Sequence, residues 1–273
     1  MTQPASFCTV ATKPLAHELF LFLNTLAIYH PNAPVFVICD TTTNDRIREL
    51  APKNLNIKWV IELDKYSDLT RQDMEARKLF AEFLLAKCRV MELALEEYPD
   101  TLFLDCDIII TSPINDIDTT KQLGISPQFI QEDFRKAFGY FNAGTLWTNS
   151  KTLTTSWRKY NETSRYFEQA SIEDLAREYP HFIFGENYNF QTYRFIHPAE
   201  PVGDIQKAFA CGRGVILFKN KPLKYFHTHI TDLKQMKPIN DYFMLLIKAA
   251  KMFDIQALIL RTFALEKQFK AGH

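Results

Sequence analysis

Residues 102–110 read Leu102-Phe103-Leu104-Asp105-Cys106-Asp107-Ile108-Ile109-Ile110. An apolar run stops at two carboxylates one residue apart and then resumes as three isoleucines. A strand buried on both faces of a parallel sheet has this continuous apolar character. Ligands of such sheets collect beyond the carboxyl ends of the strands. Side chains at i and i+2 of an extended chain point the same way, so Asp105 and Asp107 can converge on one hard cation. Oxygen ligands of this kind suit Mg²⁺ or Mn²⁺, which keep open positions for substrate phosphates. The other reading is that Asp107 caps a turn and Asp105 pairs with an arginine, and the surrounding sequence has to choose.

Upstream, strand-like and helix-like segments alternate. Phe7 to Ala11 is a β-rich run ended by Lys13-Pro14, and residues 15–30 form an apolar helix closed by His30-Pro31. Val35 to Cys39 is a second buried strand, followed by the polar stretch Asp40 to Asn44, which suits a helix cap. A short helix precedes Pro52, and Ile57 to Leu63 is a third strand. From Met74 to Tyr98 there is no Gly or Pro, which predicts one long helix with a wide apolar face. Strands separated by helices in this order imply an α/β fold with a mainly parallel sheet and right-handed crossovers. Beyond residue 120, helix-like pieces fall at 151–160, 164–178 and 186–196. Val215 to Phe218 and Leu223 to Phe226 follow as strands, and a helix spans about 240–268. With no repeat or linker, the expectation is a single domain over residues 1–273.

Composition narrows the function. The chain has 273 residues with 32 Lys+Arg against 32 Asp+Glu, and a balanced charge argues against a nucleic-acid partner. Its 8 glycines are about half the usual ~7% share, and neither GxGxxG nor GxxxxGK[ST] occurs. Five cysteines without CxxC spacing suit small buried thiols in a reducing compartment. No secretory leader is expected at the N-terminus, and no apolar stretch nears the ~20 residues of a transmembrane span. The expected location is cytoplasmic. Lys248, Lys251, Arg261, Lys267 and Lys270 beside apolar positions allow peripheral membrane contact, although an ordinary packed surface helix looks the same.

Three further motifs lie downstream. Phe138-Gly-Tyr-Phe141-Asn142-Ala143-Gly144-Thr-Leu-Trp147 sets a small polar triplet between aromatics. Small residues let a ligand approach the backbone, and Asn142 both donates and accepts. Phe184-Gly185-Glu186-Asn187-Tyr188-Asn189-Phe190 carries a carboxylate with amides. Phe226-His227-Thr228-His229-Ile230 closes a strand, with Lys234 and Lys237 after it.

In this order, LDCDI, FNAGTLW, GENYNF and FHTHI resemble the motifs of the GT-A glycosyltransferases, over about Thr9 to Lys237. The FNAG box is similar to the glycogenin and lipopolysaccharide-galactosyltransferase group; the Phe-His-x-His ending is nearer to fringe-type enzymes. The resemblance implies a Rossmann-like GT-A fold, with about 7–110 as the nucleotide-binding half, about 111–240 on the acceptor side and about 240–270 as a C-terminal helix. It implies the DxD pair Asp105 and Asp107 holding Mn²⁺ or Mg²⁺, with His227 or His229 completing the shell. It places a nucleotide-diphosphate-sugar donor, UDP-linked, against Thr9, Ala11, Lys13, Asp40 and Lys87. Cys106, Asn142, Ala143, Gly144 and Lys234 would complete the donor site, and the acceptor would be a hydroxyl of a glycan or other molecule.

Such enzymes stabilise charge building on the departing diphosphate with a metal and cations, and an inverting one needs a carboxylate to deprotonate the acceptor. Glu186 matches the acidic position after FNAG, with Glu132 and Asp133 as alternatives. The Glu-Asn pair in place of the Asp-Gln of retaining relatives leans the expectation toward inversion. Tyr140, Phe141 and Trp147 are candidates for stacking on sugar faces, although most aromatics of so Phe-rich a chain belong to the core. Two other functions compete: a metal-dependent phosphodiesterase or nucleotidyltransferase, and a silent nucleotide-sugar-binding protein of the same fold.

Overall fold

The computed structural model describes residues 2–271. The chain begins with β1 (Phe7–Ala11), α1 (Ala16–Tyr29), β2 (Pro34–Cys39), α2 (Thr41–Ile47) and β3 (Asn56–Ile61). Then come α3 (Arg71–Ala76), α4 (Phe80–Leu84), α5 (Ala86–Glu97), β4 (Thr101–Leu104) and β5 (Ile108–Ile110). The middle holds β6 (Leu123–Pro127), α6 (Glu132–Phe138), β7 (Phe141–Thr148), α7 (Leu153–Asn161), α8 (Phe167–Ala170) and α9 (Ile172–Glu178). Short elements follow: β8 (His181–Ile183), β9 (Phe190–Gln191), α10 (Tyr193–Ile196), α11 (Val202–Lys207), β10 (Phe209–Gly212), β11 (Val215–Phe218), β12 (Lys221–Pro222) and β13 (Tyr225–His227). The helices α12 (Lys237–Ala249) and α13 (Phe253–Ala271) end the described chain.

A seven-stranded sheet in the order β3-β2-β1-β4-β7-β6-β8 forms the centre. β3, β2, β1 and β4 are parallel, while β7 runs antiparallel to both β4 and β6. This is the single-domain, mixed and mainly parallel α/β architecture expected from the sequence. Period-two alternation splits β1 between two cores. Phe7 and Ala11 join the layer of α1, whereas Cys8 joins the layer of α5 and Trp157. α1 is buried nearly all round because it lies between the sheet and α13, which is why its sequence has no polar stripe. Trp147 on β7 is fully buried, and its indole N–H donates to Asp100 at 2.9 Å. Truncating such a core aromatic to Ala costs about 3–5 kcal/mol.

The next feature positions the site. β5 does not continue the large sheet; it pairs with β13, which in turn pairs with β9, to form a second, three-stranded sheet. The three residues between β4 and β5 are Asp105, Cys106 and Asp107, so the acidic pair sits at the seam between two sheets.

Several sequence expectations are corrected. The long helix over 74–98 is three helices: the first break is where Lys78 takes φ of 57°, a left-handed conformation that stops helical hydrogen bonding, and the second is at Leu85, between α4 and α5. The helix expected over 240–268 is likewise two, divided at Lys251 with φ of 57°. Residues 186–196 are not one helix, because a turn closed by Tyr188 N–H on the Gly185 carbonyl (2.9 Å) leads into β9 and then α10. The segment 164–178 is divided between α8 and α9. Among the described residues no helix is long and apolar enough to cross a membrane.

Candidate active site

The seam is tied from both sides. Asp105 donates its N–H to the Gly144 carbonyl at 3.0 Å, and the Asp107 carbonyl accepts from Thr228 N–H at 3.1 Å. The register of β13 on β5 sets His227 opposite Ile108, which brings the imidazole over the acidic pair. His227 Nε2 lies 3.2 Å from Asp107 Oδ1 and 3.8 Å from Asp105 Oδ2. One ligand atom from each of Asp105, Asp107 and His227 falls within 4.8 Å of the others. Gly144 makes the space: a Cβ there would stand 2.4 Å from His227 Cε1 and 2.5 Å from Asp105 Oδ2. Neither contact is tolerable between non-bonded atoms, so a residue with a side chain cannot replace it without displacing both groups.

Amides fix the imidazole. Gly144 N–H and Asn189 Nδ2 both donate to Asn142 Oδ1, each at 3.0 Å. With its amide nitrogen so used, Asn189 presents Oδ1 to His227 Nδ1 at 2.8 Å. Nδ1 therefore carries a proton, which leaves Nε2, facing the carboxylates, as the ring nitrogen that a metal ion would take in place of a proton, the usual device for orienting a metal-binding histidine. Burial alone would raise the Asp107 carboxyl; attraction to His227 and His229 overrides it and holds the carboxyl low. Burial likewise opposes the charged imidazole of His227, and Asp107 outweighs that effect and raises it. Two carboxylates and one oriented imidazole fit Mn²⁺ or Mg²⁺ by ligand type.

Lys87 on α5 lies under the pair. Its ammonium is 3.1 Å from Asp105 Oδ1, 3.0 Å from Glu168 Oε1 and 3.3 Å from the Ala143 carbonyl. An ammonium has three donors, and here three acceptors take them. Burial disfavours that charge, but Asp105 and Glu168 together drive the lysine well above its ordinary range.

Two cavities meet at this point and share Lys87, Asp105, Asn142 and Gln191 as a common wall. The larger, about 520 Å³, runs past Asp107 toward Val10, Thr12, Pro14, Leu69 and Met74. The smaller, about 330 Å³, reaches Gln128, Phe138, Tyr166, Gln169 and His197.

The residues expected at the site divide into those the structure brings together and those it does not. Asp105, Cys106, Asp107, Lys87, Asn142, His227 and His229 line the larger cavity, and Ala143 and Gly144 line the smaller. Thr9, Ala11 and Lys13 do not line it, whereas Val10, Thr12 and Pro14 do; the strand turns its alternate residues to the cavity. Asp40 is buried as the cap of α2, where it accepts from Thr43 N–H (2.9 Å), Lys13 N–H (2.7 Å) and Ser67 Oγ (3.1 Å). His229 is half-exposed, and its Nδ1 pairs with buried Glu18 at 2.9 Å. The Glu18 carboxylate is the main reason that its imidazole is raised to about 10. Lys234 is exposed in the loop after β13.

Glu186 lines neither cavity. Its carboxylate is held by Arg194 at 3.0 Å and Lys219 at 2.7 Å. Glu132 and Asp133 sit on α6, which has no buried residue, and Glu132 accepts from Tyr140 Oη at 2.6 Å. Trp147 is core. The sequence reading missed Glu168, Asn189 and Gln191. Their only local signal was amide and acid residues beside aromatics, which surface loops share.

No protein-family model matches the chain, and no curated protein matches it by sequence. Solved structures do. A galactosyltransferase, LgtC, in complex with donor and acceptor sugar analogues, is similar at 17% identity and a TM-score of 0.53, over 89% of this chain and 95% of that one. Mouse xyloside xylosyltransferase 1 is similar at 13% identity and a TM-score of 0.52, over 82% and 97%. The bifunctional glycosyltransferase WbbM is similar at 11% identity and a TM-score of 0.57, over 96% of this chain but 52% of that one. The chain has the GT-A glycosyltransferase fold.

Proposed function

We propose that this protein is a metal-dependent glycosyltransferase that moves a sugar from a nucleoside diphosphate, UDP in the first instance, to a hydroxyl of a glycan or other acceptor. The observation that carries the reading is the Asp105–Asp107–His227 cluster at the junction of two cavities. In this reading residues about 7–110 are the nucleotide-binding half and about 111–240 the acceptor-side half, and both halves contribute to the lining of each cavity. LgtC, crystallised with donor and acceptor sugar analogues, shares this fold.

Asp105, Asp107 and His227 Nε2 would hold Mn²⁺ or Mg²⁺; bound there, the ion supplies countercharge to the diphosphate oxygens as the sugar–phosphate bond breaks. The chain's own residues prepare the place. Asn189 holds the His227 tautomer, Gly144 leaves the volume free, and Lys87 fixes the rotamer of Asp105. The apolar wall of Val10, Pro14, Leu69 and Met74 keeps water from the nucleotide. His229, kept cationic by Glu18, offsets the charge of Glu18 and Asp107 at the edge of the larger cavity. Glu186 is assigned no chemical step, because Arg194 and Lys219 neutralise it away from both cavities. The free thiols, of which Cys8, Cys39, Cys88 and Cys106 are buried, are consistent with action in the reducing cytoplasm.

Incubation with a panel of nucleotide sugars and Mn²⁺ tests the reading. Sugar transfer or slow donor hydrolysis, abolished by Asp105→Asn with Asp107→Asn, is the expected result. No donor bound or cleaved, with the double variant indistinguishable from the parent, overturns it. Cleavage of nucleoside triphosphates in the same assay would point instead to a phosphodiesterase or nucleotidyltransferase.

A further inference from the structure

Glu168 has no counterpart in the motifs that suggested a function, yet the chain takes unusual steps to place it. The preceding residue, Phe167, adopts φ of 42°, a left-handed conformation that bulky aromatics rarely take and that marks a backbone held for a purpose. The Glu168 carbonyl is clamped by Trp157 Nε1 at 2.9 Å and Ser171 Oγ at 2.7 Å. The side chain is thereby buried at 6% exposure and lines the smaller cavity. Lys87 takes Oε1, but a carboxylate offers about four acceptor sites, so this residue of the cavity wall keeps acceptor capacity.

Gln191 lines the same cavity and supplies the opposite need. It is 2% exposed, and its Oε1 accepts from Asn142 Nδ2 at 3.3 Å. Its Nε2 is buried without a hydrogen-bond partner among the described residues. A buried amide donor left unpaired is costly and calls for a partner. A spare acceptor and a spare donor in one small cavity complement hydroxyl groups, each of which donates and accepts.

The charges choose among sugars. Lys87 is already compensated by Asp105 and Glu168, and Arg71, the other cation of this wall, is held by Glu75 at 2.7 Å. A sugar carboxylate entering here would meet Glu168, and neither the lysine nor the arginine of this wall is, among the described residues, without an acidic partner. We infer that Glu168 and Gln191 are the specificity residues of the sugar cavity, which takes a neutral, hydroxyl-bearing donor sugar and rejects a uronate. This rests on the donor reading proposed above.

Calorimetric titration in Mn²⁺ with UDP, UDP-glucose, UDP-galactose and UDP-glucuronate tests the inference. In the parent protein at least one neutral UDP-hexose should bind about tenfold or more tighter than UDP-glucuronate, in proportion to one unpaired buried charge. Glu168→Gln should collapse that ratio while UDP itself binds within about threefold of the parent. Gln191→Leu, which tests the inference should Glu168→Gln fail to fold, should weaken UDP-hexose and leave UDP unchanged. UDP binding with an unaltered neutral-to-anionic ratio in both variants overturns the inference alone. Failure of the parent to bind UDP or GDP with Mn²⁺ overturns the donor reading and takes this inference with it.

Discussion

Asp105 and Asp107 stand with Lys87 and His227; farther along the chain Glu186 and Glu200 stand with Arg194 and Lys219. Each group has two carboxylates and two basic side chains, and each carries an acid that the sequence nominates. In the first, imidazole Nε2 and carboxylate oxygens line a cavity beside a glycine that keeps them clear. In the second, the Arg194 guanidinium lies 4.6, 4.8 and 5.0 Å from the rings of Phe190, Phe218 and Phe129, at 1% exposure. Glu186 also gives its carbonyl to that guanidinium at 3.2 Å. The first group faces a cavity with its ligand atoms; the second is closed in by aromatic rings, with even Arg194 Nε buried and unpaired among the described residues, and anchors the turn before β9. Access to a cavity, rather than charge count, separates a site from a staple.

The comparison can be broken most sharply at the first group. Asp105→Asn should cut transfer by at least about 100-fold with little loss of melting temperature; a variant that keeps its rate while melting early would reverse the two assignments. Gly144→Ala fills the space itself. It should weaken Mn²⁺ binding by about 10–100-fold and cost about 1–3 kcal/mol through overpacking, read by calorimetry and chemical denaturation. A near-neutral outcome would mean that Asp105 and His227 do not need this clearance.

At the second group the pattern inverts. Glu186→Gln should lower stability by about 1–2 kcal/mol, discounted because Glu186 and Lys219 are partly in water, and leave turnover unchanged. A large loss of rate with intact stability would return Glu186 to the chemistry. The finest contrast is in pH. Lys219 and Arg194 overcome the effect of burial and hold the Glu186 carboxyl below its usual 4.5. The unfolded chain therefore binds that proton first, so the contribution of Glu186 is full above pH 4.5 and is lost as pH falls further. The stability gap between parent and Glu186→Gln should be flat above 4.5 and close below it. His30 sets the background common to both proteins. Burial lowers its imidazole from 6.5 to about 4, so both should lose up to about 3 kcal/mol as pH falls across that interval.

What the sequence revealed follows from the range of the forces involved. The acidic pair, the Asn-Ala-Gly triplet and His227 were legible because strand alternation and the end of an apolar run are local. Alternation does not say which face is which, and so Thr9 and Ala11 were named where Val10 and Thr12 line the cavity. Lys78 and Lys251 end helices without Gly or Pro: each is exposed and left-handed, and the next N–H closes back on the helix, Leu79 on the Met74 carbonyl at 2.8 Å and Met252 on that of Ile247 at 3.1 Å, a closure usually made with glycine. Gly185-Glu186-Asn187 has the composition of a helix start, and partners distant in sequence hold it as a turn: Arg194 and Lys219 on Glu186, and the Pro222 carbonyl on Asn187 Nδ2 at 2.8 Å. Glu168 was invisible because its direction is set by Trp157 and Ser171 acting on a backbone carbonyl, a signal that no residue type carries.

The seam between the two sheets has a mechanical consequence. Asp105 ends one sheet, Asp107 begins another, and His227 belongs to the second, so a cation gripping all three would rivet two otherwise independently twisted surfaces. Loading the site should therefore stiffen the whole body rather than one loop. Mass action sets the scale: at a hundredfold excess of Mn²⁺ over its dissociation constant, unfolding should become about 2.7 kcal/mol harder. Slowed amide exchange should then appear on both sides of the join, in β4 and in β13 alike.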